Sequence, residues 1–276
     1  MNAEGLLTTQ RVLVTGASSG IGAGLAEEFA RRGAVVGICA RRRDRLDQVL
    51  ERCRAHSPGS VRWVADLSDP AAVDRLATSA MEELGRVDIL VNNAGIPLRR
   101  HVTRLDPATV ASVMDINFLS PVRLTLALLP QMLERGSGRV VNVSSVAATL
   151  SSPGEAAYDA SKAALTAFSE AMAIDLWDTG VKVLVVYPGL IDTELITSPG
   201  NDPVVDAVTP VPVSELVDGV LTALADDAVQ VYVPGFFGEL AAGKAANVEG
   251  FLAGAAAFIA SKKATAKKAT AKKAGA

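Results

Sequence analysis

The chain has 276 residues, 49% of them hydrophobic and 21% charged, with a formal net charge of −3. That size and balance fit a soluble globular α/β protein with a sizeable core. Cys39 and Cys53, the only cysteines, lack the CxxC spacing of a zinc or redox motif and cannot build a disulfide framework, which leaves them structural or incidental. Residues 1–10 lack the basic end and apolar run of a signal peptide, and no window reaches eighteen uninterrupted apolar residues. A cytoplasmic location is therefore expected, with a peripheral membrane position as the alternative.

Residues 11–15 form a short β-rich run, followed by Gly16-Ala-Ser-Ser-Gly20-Ile-Gly22 and a helical pattern over residues 25–32. Strand, glycine turn and helix together aim backbone N–H groups and a positive helix terminus at a phosphate. Glycine is needed where the chain turns sharply and a pyrophosphate approaches the backbone. The spacing here is G-x3-G-x-G rather than G-x-G-x-x-G.

A second strand, residues 34–40, ends in Arg41-Arg42-Arg43, about twenty residues beyond the glycines, where a dinucleotide fold reads the ribose. An acidic residue there would accept from the 2′-hydroxyl of NAD. Guanidinium groups suit a 2′-phosphate, so Arg41 and Arg42 point to NADP(H) in preference to NAD(H).

Residues 61–65 read as a third strand. In the turn that follows, Asp66-Leu67-Ser68-Asp69-Pro70, Ser68 or Asp69 is the expected N-cap and Pro70 the first helical residue. Residues 87–91 are a fourth strand, closed by Asn92-Asn93-Ala94-Gly95. A long helical pattern covers residues 106–134, where Asn117 needs a hydrogen-bonding partner and Pro121 is expected to kink or interrupt the helix. Residues 139–143, 181–186 and 229–233 complete the strands, the first ending in Ser144-Ser145 and the second in Tyr187-Pro188-Gly189. Strands alternating with helices predict one doubly wound parallel sheet in a single domain. Residues 190–212 break into Pro, Gly, Asp and Thr, and are the expected substrate lid.

Tyr158-Asp159-Ala160-Ser161-Lys162 opens an apolar-periodic helix over residues 163–177. Residues four apart share a helix face, so the Tyr158 hydroxyl and the Lys162 ammonium can enter one site. The cation is expected to draw the phenol below its usual pKa of about 10, fitting it for proton exchange with a carbonyl or alcohol oxygen.

With these residues assembled, the sequence resembles the short-chain dehydrogenase/reductase family from about residue 11 to residue 233. The resemblance rests on Thr15-Gly16-Ala-Ser-Ser-Gly20-Ile-Gly22, Asp66-Leu67, Asn92-Asn93-Ala94-Gly95, Asn117, Ser145, Tyr158-x-x-x-Lys162 and Pro188-Gly189 with Thr193. It implies a Rossmann-type sheet in which Gly16, Ser18, Gly20 and Ile21 cradle the cofactor phosphates. Asp66 and Leu67 would hold the adenine, Asn93 and Gly95 would line the adenosine-ribose side, and Pro188, Ile191 and Thr193 would meet the nicotinamide. Tyr158 would be the acid/base, Ser145 (chosen over Ser144 by the family's interval) would polarise the substrate oxygen, and Lys162 would bind the nicotinamide ribose. Asn117 would hold a water linking Lys162 to solvent. Hydride transfer from the B face of the nicotinamide and a homodimer or homotetramer built on the helices of residues 106–134 and 155–177 are implied as well. No metal is expected. His56 reads as surface, and His101 as a candidate for substrate contact.

Beyond residue 235 the chain departs from the family pattern. Residues 236–260 form an apolar extension, with 251–260 too short to span a bilayer, that docks on the protein, covers the substrate mouth or lies at a membrane surface. Residues 261–276 carry six lysines and no acid in an Ala-Thr-Ala-Lys-Lys repeat, which predicts disorder. Weak contact with nucleic acid or an anionic membrane stands there beside a solvated tail without a partner. The expected function is NADP(H)-dependent interconversion of a carbonyl and a secondary alcohol on a lipophilic steroid-like, retinoid-like or acyl substrate. A 3-oxoacyl thioester reductase is the alternative within enzymes. A catalytically silent nucleotide-sensing protein is the alternative of another class, disfavoured because Ser145, Tyr158, Lys162 and Asn117 are all present.

Overall fold

The computed structural model describes residues 3–203 and 209–274, with residues 3–4 and 263–274 as backbone only. A short helix α1 (Ala3–Leu6) precedes β1 (Arg11–Thr15), α2 (Gly20–Arg31), β2 (Val35–Ala40), α3 (Arg43–Arg54), β3 (Val61–Val64), α4 (Pro70–Leu84) and β4 (Ile89–Asn92). A 3-10 turn (Val102–Arg104) leads to α5 (Pro107–Met114), a wider π turn (Asp115–Leu119) and α6 (Ser120–Arg135). Then come β5 (Gly138–Val143), α7 (Ala147–Leu150), α8 (Ala156–Asp175), β6 (Val181–Pro188), α9 (Val213–Ala225), β7 (Gln230–Val233), α10 (Phe236–Ala246) and α11 (Val248–Ala274).

The strands pair in parallel in the order β3-β2-β1-β4-β5-β6-β7. The chain winds outward from β1 to β3, then crosses to the other side of β1 and winds outward again. The reversal between β1 and β4 opens a crevice at the strands' carboxyl ends, where such sheets bind ligands. Both faces are covered, so the strands are apolar on both sides. Val12 and Val14 join Leu25 and Phe29 of α2, Leu46 of α3 and Val220 of α9 on one face. Leu13, between them in sequence, joins Leu76 of α4, Leu128 of α6 and Met172 of α8 on the other. Each such side chain contributes about 1.5–3 kcal/mol on burial.

Local chemistry explains the boundaries. Asp69 caps α4, its carboxylate accepting from the Ala71 N–H at 2.9 Å, with Pro70 beginning the helix. The single helix expected over residues 106–134 divides at the π turn, and Pro121 falls in the first turn of α6. Pro121 has no N–H to give to the carbonyl of Asn117 four residues before it, so a straight α-helix would lack a bond there. The stretch Pro107–Arg135 is long and apolar enough to cross a membrane by length and composition, yet its Leu124, Leu128 and Met132 are buried in the core.

The C-terminal segment differs from expectation. The backbone is one continuous helix, α11, through both the apolar extension and the lysine-rich repeat, where the composition predicted disorder from residue 261. Ala and Lys are strong helix formers, and that local propensity opposes the repulsion between like charges. Residues 204–208 of the expected lid and 275–276 of the tail lie outside the described residues.

Candidate active site

The glycine turn between β1 and α2 is locked from the β4 side. Gly16 has φ +67°, a left-handed conformation that favours glycine, and a Cβ there would stand 2.7 Å from the Ala94 Cα. Gly22 has no such dihedral constraint but no room either: its Cβ would lie 2.6 Å from the Gly16 carbonyl oxygen and 2.5 Å from the Asn93 amide nitrogen. The Asn93 amide donates to the carbonyls of Thr15 and Gly16 at 2.9 and 3.3 Å, and the Thr15 hydroxyl accepts from the N–H groups of Asn93 and Ala94. Asn93 therefore shapes the turn, and its NH2 group is engaged there rather than offered to a ribose. Asn92 faces the core, where it donates to Asn142 and Thr125. The result is a tight backbone cradle at the N-terminus of α2, suited to a diphosphate.

At the far end of the cradle, Arg42 precedes α3 and reaches back to the turn. Its guanidinium donates to the Ser18 hydroxyl at 3.2–3.3 Å and to the Ser19 hydroxyl at 2.7 Å. Arg41 is exposed on the same rim. Across the crevice, the Asp66 carboxylate accepts from the Ser68 N–H and hydroxyl, which hold it below its usual pKa, with the Arg41 charge assisting. Asp66, Leu67, Arg41 and Arg42 line one wall together.

Three candidate catalytic side chains meet at the carboxyl ends of β4 and β5. Ser145 follows β5, while Tyr158 and Lys162 lie one turn apart on α8. The Ser145 hydroxyl accepts from the Ala147 N–H at 3.1 Å, which fixes its oxygen, and it faces the Tyr158 phenol closely enough to lower the phenol's pKa. Lys162 is buried, its ammonium donating to the Val143 carbonyl at 2.8 Å and lying 5.9 Å from the centre of the Tyr158 ring. Burial lowers its pKa to about 8.

The phenol departs from expectation. Burial pushes the Tyr158 pKa well above 10, the Ser145 hydrogen bond opposes this, and the Glu155 and Asp159 carboxylates add to it. Desolvation outweighs the nearby cation, so in the polypeptide alone Tyr158 is protonated at neutral pH.

Asn117 sits in the π turn, fully buried. Its amide oxygen accepts from the Ile96 N–H at 2.8 Å, and its NH2 group donates to the Ile96 carbonyl and the Ser161 hydroxyl, both at 3.0 Å. The side chain is engaged by these partners. Gly95 lies against this cluster: a Cβ there would meet the Asn117 amide oxygen at 3.1 Å and the Lys162 ammonium at 3.5 Å. It borders Lys162 as well as the crevice.

Pro188, Ile191 and Thr193 continue the wall after β6, with Thr193 folded over Gly20. All these candidate residues except Asn117 line one cavity of about 1820 Å³. His101 lines it too, but its ring is held by Thr103 at 2.9 Å, whereas His56 is exposed elsewhere. Both cysteines are buried and free.

Several residues of the site carried no sequence signal. Arg99 anchors the lid: its N–H donates to the Asn201 amide oxygen at 2.6 Å, and its guanidinium donates to the carbonyls of Asp202, at 3.0 Å, and Ile196. It also lies 3.8 Å from Glu155, three residues before Tyr158. Arg99→Ala removes the two guanidinium bonds to the lid, and cleavage within residues 190–203 in limited proteolysis is expected to accelerate about tenfold. Unchanged cleavage would show that the lid is held elsewhere. Phe237 of α10 fills the space over Gly189, where a Cβ would be 2.3 Å from its ring, and Lys244 donates to the Thr149 carbonyl and the Ser151 hydroxyl, each at 2.7 Å. Leu252, Ala255, Ala256 and Ile259 of α11 complete the cavity on the lid side. These side chains reach the cavity wall while Leu252 stays 46% exposed.

The short chain dehydrogenase family model matches residues 10–203. The chain belongs to the short-chain dehydrogenase/reductase family, whose parallel sheet and glycine turn it shares. It is 43% identical over 186 residues to 11-beta-hydroxysteroid dehydrogenase 1A of Arabidopsis thaliana, covering 67% of this chain and 53% of that protein. It is 39% identical over 193 residues to a fatty acyl-CoA reductase of Mycobacterium tuberculosis, covering 69% and 66%. A solved short-chain dehydrogenase from Sphingobium yanoikuyae in complex with NADPH superposes with a TM-score of 0.76 at 33% identity, covering 82% of this chain and 88% of that one. The chain spans between 53% and 66% of the length of these two curated relatives.

Proposed function

We propose that the protein is an NADP(H)-dependent oxidoreductase that reduces the carbonyl group of a lipophilic substrate to an alcohol. The observation that carries this reading is the single cavity joining the glycine cradle, the Ser145–Tyr158–Lys162 cluster and the apolar face of α11. The cradle fits a dinucleotide because its glycines let a tight turn close against Ala94 and Asn93 at the N-terminus of α2, where backbone N–H groups favour a diphosphate. Gly16, Ser18, Gly20 and Ile21 would hold the diphosphate, Arg41 and Arg42 a 2′-phosphate, Asp66 and Leu67 the adenine, and Pro188, Ile191 and Thr193 the nicotinamide. The nicotinamide, when bound, supplies the hydride.

The chain's own groups do the rest. Ser145 and Tyr158 offer two hydroxyl donors to the substrate carbonyl oxygen and so polarise it. Tyr158, kept protonated by burial, gives its proton to that oxygen as negative charge develops. Lys162 places a positive charge beside the phenolate that results and would bind the nicotinamide ribose. Protonated at neutral pH, Tyr158 is in the form that reduction requires.

The lipophilic preference rests on α11 and on the substrates in the relatives' names, a hydroxysteroid and a fatty acyl-CoA. A panel of ketones and aldehydes graded by chain length tests it, with NADPH consumption as the readout. Truncation after Asn247 should raise KM at least about tenfold for the long-chain members, from lost contact with Leu252 and Ile259, and leave NADPH affinity unchanged. Equal KM values for short and long substrates in both forms would remove α11 from the site.

We further infer a homodimer or homotetramer. Leu119, Leu126 and Leu133 are exposed at seven-residue intervals on the π turn and α6, and Ile174 and Trp177 are exposed at the end of α8. Light scattering that gives a monomer at micromolar concentration would contradict it.

A further inference from the structure

The cofactor's adenosine end and the substrate lid meet at one ion-pair cluster. Glu194, in the lid's first turn, bridges two arginines: one carboxylate oxygen accepts from Arg42 at 2.7 Å and the other from Arg45. Arg45 lies in the first turn of α3, one turn from Arg42. The remaining Arg42 contacts go to Ser18 and Ser19, so each of its three guanidinium nitrogens has a partner. Thr193, beside Glu194, stands where a Cβ on Gly20 would be only 3.0 Å from its methyl group. Residues about 150 positions apart in sequence thus tie the lid to the ribose-reading turn and the glycine cradle at once.

We propose that Glu194 is a latch that competes with the cofactor's 2′-phosphate for Arg42 and Arg45, so that the 2′-phosphate releases the start of the lid. This rests on the NADP(H) reading above. A carboxylate shared between two guanidinium groups uses the same fork of N–H donors that a phosphate uses. The two arginines hold the Glu194 carboxyl at a pKa of about 2, so it is a full anion under any working condition. Two anions cannot share these donors at close range without strong repulsion. Glu194 and Arg42 are both about half exposed, so the latch is weak enough for a doubly charged phosphate to displace. A cofactor without the 2′-phosphate leaves the latch in place, and the lid then responds to which cofactor is bound.

The test is a binding titration with adenosine 2′,5′-bisphosphate and adenosine 5′-phosphate on the wild type, Glu194→Gln and Arg42→Ala. Glu194 is exposed, and the glutamine variant keeps its shape. The wild type is expected to prefer the bisphosphate and Arg42→Ala to lose that preference. Glu194→Gln should bind the bisphosphate about fivefold more tightly, with its affinity for adenosine 5′-phosphate unchanged. If the first two results hold and Glu194→Gln shows no gain, or a loss, the latch is wrong and the cofactor reading stands. If the wild type shows no preference and Arg42→Ala changes nothing, the cofactor reading falls and takes the latch with it.

Discussion

Tyr158→Phe is expected to lower turnover about 10²- to 10⁴-fold while leaving NADPH affinity within about twofold. The substitution removes one hydroxyl and keeps the ring, so the packing beneath Lys162 survives. What is lost is the proton donor beside Ser145. The wild-type pH profile should carry the same signature: reduction proceeds with the phenol protonated, and alcohol oxidation gains as pH rises toward the phenol's elevated pKa. Steady-state kinetics in both directions, paired with cofactor titration, check this. Retained turnover in the phenylalanine variant would remove Tyr158 from the mechanism.

Lys162→Met should abolish measurable turnover and yet stabilise the fold. Lys162 is 4% exposed, and its ammonium donates to the Val143 carbonyl. A buried cation with so little compensation is costly, and methionine keeps much of the shape without the charge. With a folded pKa of about 8 against about 10.4 unfolded, the penalty is on the order of 3 kcal/mol at pH 7. The sign follows from proton binding. Between pH 8 and 10.4 the unfolded chain holds more protons on this group than the folded one, so wild-type stability rises with pH across that window. Denaturant unfolding should show the methionine variant more stable at pH 7 by about 1–3 kcal/mol, with the gap closing toward pH 10. A wild type that is more stable at pH 7, with a gap that ignores pH, would mean the lysine carries no such penalty. A gap that closes with pH, as predicted, means that the fold tolerates this instability for the sake of the site.

What the sequence displayed was local. The glycine turn, the Tyr158–Lys162 spacing and the strands were legible because each is a short pattern with a backbone reason, and the Asp69 cap and Pro70 start belong with them. The π turn was half legible: Pro121 announced an interruption but not its form. Arg99 and Glu194 were not legible, because each acts on partners about 100 to 150 residues away that only the fold brings near. The Tyr158 pKa has a related reason: helical spacing reveals the neighbouring cation but not the burial that raises the phenol's pKa.

The most direct measurement is tracer transfer. The protein would be given a long-chain ketone with equal amounts of NADPH and NADH, each deuterated at the transferable position in turn. The account predicts a single deuterium on the alcohol carbon when NADPH is labelled, little when NADH is labelled, and none from either with Tyr158→Phe over the same time. Equal transfer from both cofactors would contradict the role of Arg42, and wild-type alcohol that stays unlabelled in both arms would contradict the proposed reaction itself.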